Sequence, residues 1–277
     1  MSDGSRTADV LDRLTAGINR LTSSTEWQQW LVAQSRFHRY SFGNTLLILS
    51  QTEGRATRVA GFHAWRKLGR KVRKGERAIW IFAPMTRRVQ NDDADEKTLV
   101  LSGFKVVPVF DMAQTDGEPL PEIATRLQGD DPSHSYGRLR EVAHSLGYSV
   151  EEDYLPGEVN GDCNFDKKRI RVELGNDERQ QVKTLAHELG HALLHEGFEG
   201  SRELAELEAE SVAFIVCANL GIDSDDYTFG YVASWSGGGD EAVDAIKSTG
   251  GRIQKAAESI VSMLEAEATV SSEAVAA

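Results

Sequence analysis

Cysteine is nearly absent: Cys163 and Cys217 are the only two in 277 residues. A disulfide scaffold is excluded, and the count fits a reducing compartment. Proline is also scarce. Three of the six, Pro119, Pro121 and Pro132, fall between residues 113 and 135, which marks a linker. No apolar run nears the roughly 20 residues of a membrane span; VAFIVCANL, residues 212–220, is typical of the longest. The opening MSDGSRTADVLDRL has no apolar stretch of the signal-peptide kind, and no internal repeat stands out. Positive charge is in deficit, with 31 Lys and Arg against 43 Asp and Glu, a net -12. These features predict a soluble cytoplasmic protein with no membrane partner. At 40% hydrophobic residues, the chain can support two modest domains.

The charge deficit is not uniform. Between Arg55 and Arg88 stand eleven Lys and Arg against one acidic residue, Glu76, a net +10 that leaves -22 for the rest. Such asymmetry is an electrostatic footprint for nucleic acid. Phe62, Trp65, Trp80 and Phe82 are interleaved with the charges. Rings beside cations suit single strands, whose bases stack while phosphates meet the charges. The candidate DNA contacts are Arg58, Trp65, Arg66, Lys67, Arg70, Lys71, Arg73, Lys74, Arg77 and Trp80. The competing reading is a solvated basic face over an aromatic core, with the acidic half of the chain as a second target for the charges.

In TLAHELGHALLHE, residues 184–196, His187 and His191 stand four apart. On a helix that places both imidazoles on one face, and Glu188 sits beside the first. A catalytic zinc takes three protein ligands and leaves one position open; a glutamate there serves as general base. Val182, Leu185, Leu189 and Leu193 supply the helical periodicity the motif requires. Gly190 weakens that helix and suggests close approach by another backbone. The third ligand is expected on the next helix. Glu206 and Glu210 share a face there with the small residues Ala209, Ala213 and Cys217, whereas Glu208 points nearly opposite. Glu206 is favoured as ligand, with Glu210 orienting a histidine from behind; Glu208 or Glu210 remains the alternative. His195 continues the ladder as packing or support. His195, Tyr227 or Tyr231 are candidate donors to an oxyanion. Mn2+ or another divalent transition metal suits the same ligands as Zn2+.

Amphipathic spacing predicts a helix near the start (Val10, Leu11, Leu14, Ile18, Leu21) and another capped by Ser23 with Glu26 three residues on. Strand patterns follow Lys74-Gly75 and again on either side of Gly103. A short helix ends at Gly147. Then come a small antiparallel sheet and three helices, near 177–196, 201–220 and 240–266. The fold class is α+β.

Two resemblances sharpen this. YSFGNTLLI, GFHAWRKLGRKVRKGERAIWIFAP and VFDMAQTDGEP, with Trp65, Gly69, Val72, Gly75 and Glu76 in the order W-x-x-x-G-x-x-V-x-x-G-E, resemble the N-terminal domain of ArdC-type antirestriction proteins. That resemblance implies a single-stranded DNA-binding module. From about residue 136, the sheet, HELGHALLH and ELEAESVAF resemble the ImmA/IrrE metallopeptidases. It implies a gluzincin-like site with His187, His191 and Glu206 as ligands and Glu188 catalytic. Glu210 departs from it, since many members have Asn or Asp there. The expected layout is a DNA-binding domain over 1–115, a linker over 116–135, a metallopeptidase domain over 136–268 and a disordered tail over 269–277. Three functions compete: a DNA-associated zinc endopeptidase acting on a protein or peptide, an antirestriction DNA-binding protein with a structural metal, and a stress-responsive protease cutting a repressor. Oligomeric state is not legible.

Overall fold

The computed structural model describes residues 3–90, 97–119, 132–222, 229, 232, 234 and 239–275. The chain forms two compact units: Met1–Ile18 with Gly43–Leu120, and Asn19–Phe42 with Pro121–Ala277. No helix among the described residues is long and apolar enough to cross a membrane.

The first unit is built on α1 (Asp3–Arg20), α3 (Phe42–Thr52), the short α4 (Phe62–Lys67) and five strands. β3 (Ile79–Gln90) and β4 (Lys97–Asp111) form a long antiparallel ribbon, with β1 (Val59–Ala60) on the other edge of β4. The break expected near Gly103 is a bulge: Met85 faces Gly103 and Thr86 faces Leu101. Gly103 has φ +148, open to glycine. β2 (Arg70–Val72) pairs separately with β5 (Thr115–Gly117). The outer edge of β3 is closed by side chains of α3. Asn44 donates to Phe82 O and accepts from Phe82 N, while Gln51 does the same with Trp80, at 2.8–2.9 Å. Two side-chain amides thus stand in for a neighbouring strand.

In the second unit, α5 (Pro132–Ser145) leads to β6 (Ser149–Asp153), β7 (Gly161–Asn164) and β8 (Arg169–Glu173). β7 pairs antiparallel with β8, and β6 lies parallel on its other side. The sheet is therefore mixed, because the chain visits the far edge, β7, before returning to the centre. α6 (Glu178–Leu194), α7 (Arg202–Asn219) and α8 (Asp240–Val275) follow. Leu139, Ile170, Leu185, Leu189 and Ile215 are fully buried at their core.

Three boundaries differ from the sequence expectation. α2 (Ser24–Arg36), expected within 1–115, packs on α7 in the second unit. Its buried Trp27 donates to Ser211 Oγ at 3.0 Å, and Trp30 meets Phe42 edge to face. Apolar bulk goes where partners exist, not where its neighbours in sequence go. The linker is shorter than 116–135 at both ends, since β5 reaches Gly117 and α5 starts at Pro132, where proline suits a first helical turn. Helix α8 continues to Val275, through residues expected to form a disordered tail.

Candidate metal centre

Asp177 caps α6 by accepting from Gln180 N, and Val182, Leu185 and Leu189 bury its inner face. That orientation turns His187 and His191 toward a cleft of about 730 Å³, with Glu188 beside them. Ser201 caps α7 by accepting from Leu204 N. The two helices approach closely at Gly190, where a Cβ would lie 3.0 Å from Ala209 Cα. The helical penalty of that glycine is explained by this crossing.

The crossing brings Glu206 to the histidines. His187 Nε2 and His191 Nε2 are 3.0 Å apart, and Glu206 Oε2 lies 3.3 and 3.7 Å from them. An ion with tetrahedral ligands at about 2.0–2.1 Å separates those ligands by about 3.3 Å. Two imidazoles and a carboxylate are also a donor set that divalent transition metals accept. Geometry and chemistry both fit. Glu206 supplies the carboxylate of this cluster; neither Glu208 nor Glu210 belongs to it.

Glu208 has a different place. Its buried carboxylate lies 3.0 Å from His195 Nε2 and 3.0 Å from a guanidinium nitrogen of Arg252. His195 Nδ1 in turn lies 2.8 Å from His191 Nδ1. If His195 donates from Nε2 to Glu208, its Nδ1 accepts from His191 Nδ1–H, and the lone pair of His191 Nε2 faces the cleft. The carboxylate behind a histidine, expected to be Glu210, is therefore Glu208, acting through His195. Helix pitch accounts for it: Glu208 turns away from Glu206, toward the last turn of α6. Glu210 lines the cleft, where burial raises its pKa. His195 is almost wholly buried behind His191, so it is not placed to meet an oxyanion. Tyr227 and Tyr231 lie outside the described residues. Arg252 was not anticipated; no spacing signal links α8 to the motif.

Burial raises the pKa of Glu188, against the opposing pull of His187 and His191. Burial disfavours the charged form of His187, but the Glu206 hydrogen bond and nearby carboxylates outweigh it and raise its pKa. Hydrogen bonds from His187 and His191 hold Glu206 well below the usual carboxylate range. The opposite wall of the cleft is β7, also unanticipated. A Cβ at Gly161 would lie 3.0 Å from Glu188 Oε1. Cys163 lines the cleft too, its thiol pushed up to about 12 by burial and by Glu188.

The basic segment divides. Trp65 is fully buried, its Nε1 donating to Phe110 O, so it presents no face for stacking. Arg70 is spent on Thr115 and the Gly117 and Glu118 carbonyls, and Arg73 on Glu76, Asp116 and the Ala113 carbonyl. Both serve the fold by joining β2 to the segment around β5. Arg66, Lys67, Lys71, Lys74 and Arg77 are exposed, and Arg58 and Trp80 are half-buried.

Known proteins resemble both units. Residues 5–110 match the model for the N-terminal domain of anti-restriction factor ArdC, and residues 139–220 match the peptidase model of the IrrE N-terminal-like domain. An uncharacterized protein of Bacillus anthracis is 24% identical over 305 aligned positions, covering 94% of this chain. The chain spans about half the length of that relative, 51%. The metal-free crystal structure of antirestriction protein ArdC from the R388 plasmid is alike in fold, with TM-score 0.55 and 21% identity over 91% of this chain and 98% of that one. Its Mn(II)-bound structure matches at TM-score 0.47 and 20% identity, over 85% and 97%. The chain thus joins, in this order, a domain matching the N-terminal domain of anti-restriction factor ArdC and a domain matching the IrrE N-terminal-like family.

Proposed function

We propose that this protein is a DNA-associated metallopeptidase. The observation that carries the reading is the convergence of His187, His191 and Glu206 beside buried Glu188 in one cleft. His187, His191 and Glu206 would hold a divalent transition metal, zinc before manganese. When bound, the ion supplies Lewis acidity to a water and to the substrate carbonyl. β7 is an edge strand of its sheet, and an extended peptide can pair along such an edge. Glu188 takes a proton from the attacking water as oxygen bonds the carbonyl carbon. As the C–N bond breaks, Glu188 delivers that proton to the amine nitrogen. Its raised pKa makes it a stronger base than an exposed glutamate. The first domain would hold single-stranded DNA, which is what the basic segment and the ArdC match support.

A second reading rests on the same match to an anti-restriction factor: a DNA-binding protein whose metal only supports the fold. One experiment separates them. Zinc-loaded protein and Glu188→Gln are incubated with casein, with and without single-stranded DNA. The peptidase reading expects cleavage by the wild type alone, at equal metal content. DNA binding without any cleavage would favour the second reading.

A further inference from the structure

The first unit holds a cavity of about 770 Å³ between α1, the end of α3 and the start of β3. Arg13, Arg55 and Arg77 stand on its wall with Trp80. Arg77 is exposed and has no ion pair with a described residue. Arg13 pairs with Asp9, and Arg55 with Glu53, but these pairs are exposed at the surface. Such pairs contribute little and open readily. The Arg6 guanidinium lies over the Trp80 ring, 4.2 Å from its centroid.

We propose that this cavity takes an unpaired nucleotide of a DNA strand. The base lies on the Trp80 ring, where the Arg6 guanidinium stacks in the free protein. The flanking phosphates meet Arg13, Arg55 and Arg77. The site rests on the DNA-binding reading above and gives it an address. It also predicts what the site ignores. The amide of Gln51 is committed to Leu47 and Trp80, and that of Gln114 to Asp111, Glu76 and Arg77. The hydroxyls of Ser50 and Thr52 donate to carbonyls of their own helix. Two carboxylates also line the wall: Asp9, paired with Arg13, and Asp111, which accepts from the backbone N–H groups of Thr57, Arg58 and Ala113. With these groups occupied, the cavity offers a ring and the three arginines but few hydrogen bonds to base edges. Binding is therefore indifferent to base identity.

The test uses the full chain and labelled dT and dA oligonucleotides of about 15 nucleotides, followed by fluorescence anisotropy. Trp80→Leu weakens binding about tenfold, the scale of one base–aromatic stack, and Trp80→Phe restores most of it. Arg77→Glu weakens binding and lowers the salt slope by about 0.7. Arg66→Glu with Lys67→Glu, on α4 outside the cavity wall, has the smaller effect. Melting curves check that each variant is folded. If the wild type binds both oligonucleotides and the Trp80 and Arg77 variants match it, the site is wrong while the DNA reading stands. If the wild type binds neither, the DNA reading falls and this site with it.

Discussion

Glu208 and Arg252 meet at 3.0 Å, with the Glu208 side chain only 1% exposed. They join α7 to α8 directly behind His195, and Arg252 also donates to Leu194 O. The pair anchors His195, the histidine that backs His191 of the candidate metal site. Replacing His195 with Phe removes the acceptor for His191 Nδ1–H. Metal affinity, read by competition with a chelator, should fall roughly 10–100-fold. Unchanged affinity would reduce His195 to packing. Arg252→Leu leaves the buried Glu208 carboxylate with His195 as its partner and removes a charged hydrogen bond, which should destabilise the unit by about 2 kcal/mol.

Gly161 faces Thr184 and Glu188 across the cleft. A Cβ there would fall 2.5 Å from Thr184 Cγ2 and 3.0 Å from Arg171 O and Glu188 Oε1. Gly161→Ala must displace the Thr184 side chain or push the strand off α6, and crowds the Glu188 carboxylate. Misplacing a catalytic group by about 1 Å lowers turnover by roughly 100-fold. Peptidase assays on Gly161→Ala should show that loss while His187, His191 and Glu206 retain the metal. Full activity would mean the strand does not hold Glu188 in place.

Trp27 tests which unit owns α2. It is fully buried and hydrogen-bonded to Ser211 on α7. Trp27→Ala should destabilise by about 3–5 kcal/mol. In a melt resolved into two transitions, the one carrying the metal site should move. A shift confined to the other transition would return α2 to the first unit.

Cys163 gives a pH test. Its pKa of about 12, raised by burial and by Glu188, lies above the roughly 8.5 of a free thiol. The folded state therefore favours the protonated thiol. The stabilisation is complete below the unfolded pKa and disappears as pH rises through the folded one. Stability should fall between about pH 8.5 and 12 more steeply in the wild type than in Cys163→Ala. Iodoacetamide at pH 8 should label Cys163 far more slowly than a free thiol.

Local pattern determined a good deal on its own. The i, i+4 spacing of His187 and His191 and the caps at Ser23, Asp177 and Ser201 depend only on helix geometry. So does the separation of Glu206 from Glu208 around α7. Gly190 was legible as a close approach because only packing repays its cost in a helix. Tertiary structure decided what lies across from those faces. It brought the Glu206 carboxylate, not that of Glu210, against the two histidines, placed Glu208 behind His195, and brought in Gly161 from β7 and Arg252 from α8. It buried Trp65 while leaving Trp80 at a cavity, and sent α2 to the second unit. Each of these turns on contacts between residues far apart in the chain. Periodicity says which face of an element is apolar, but not which partner covers it.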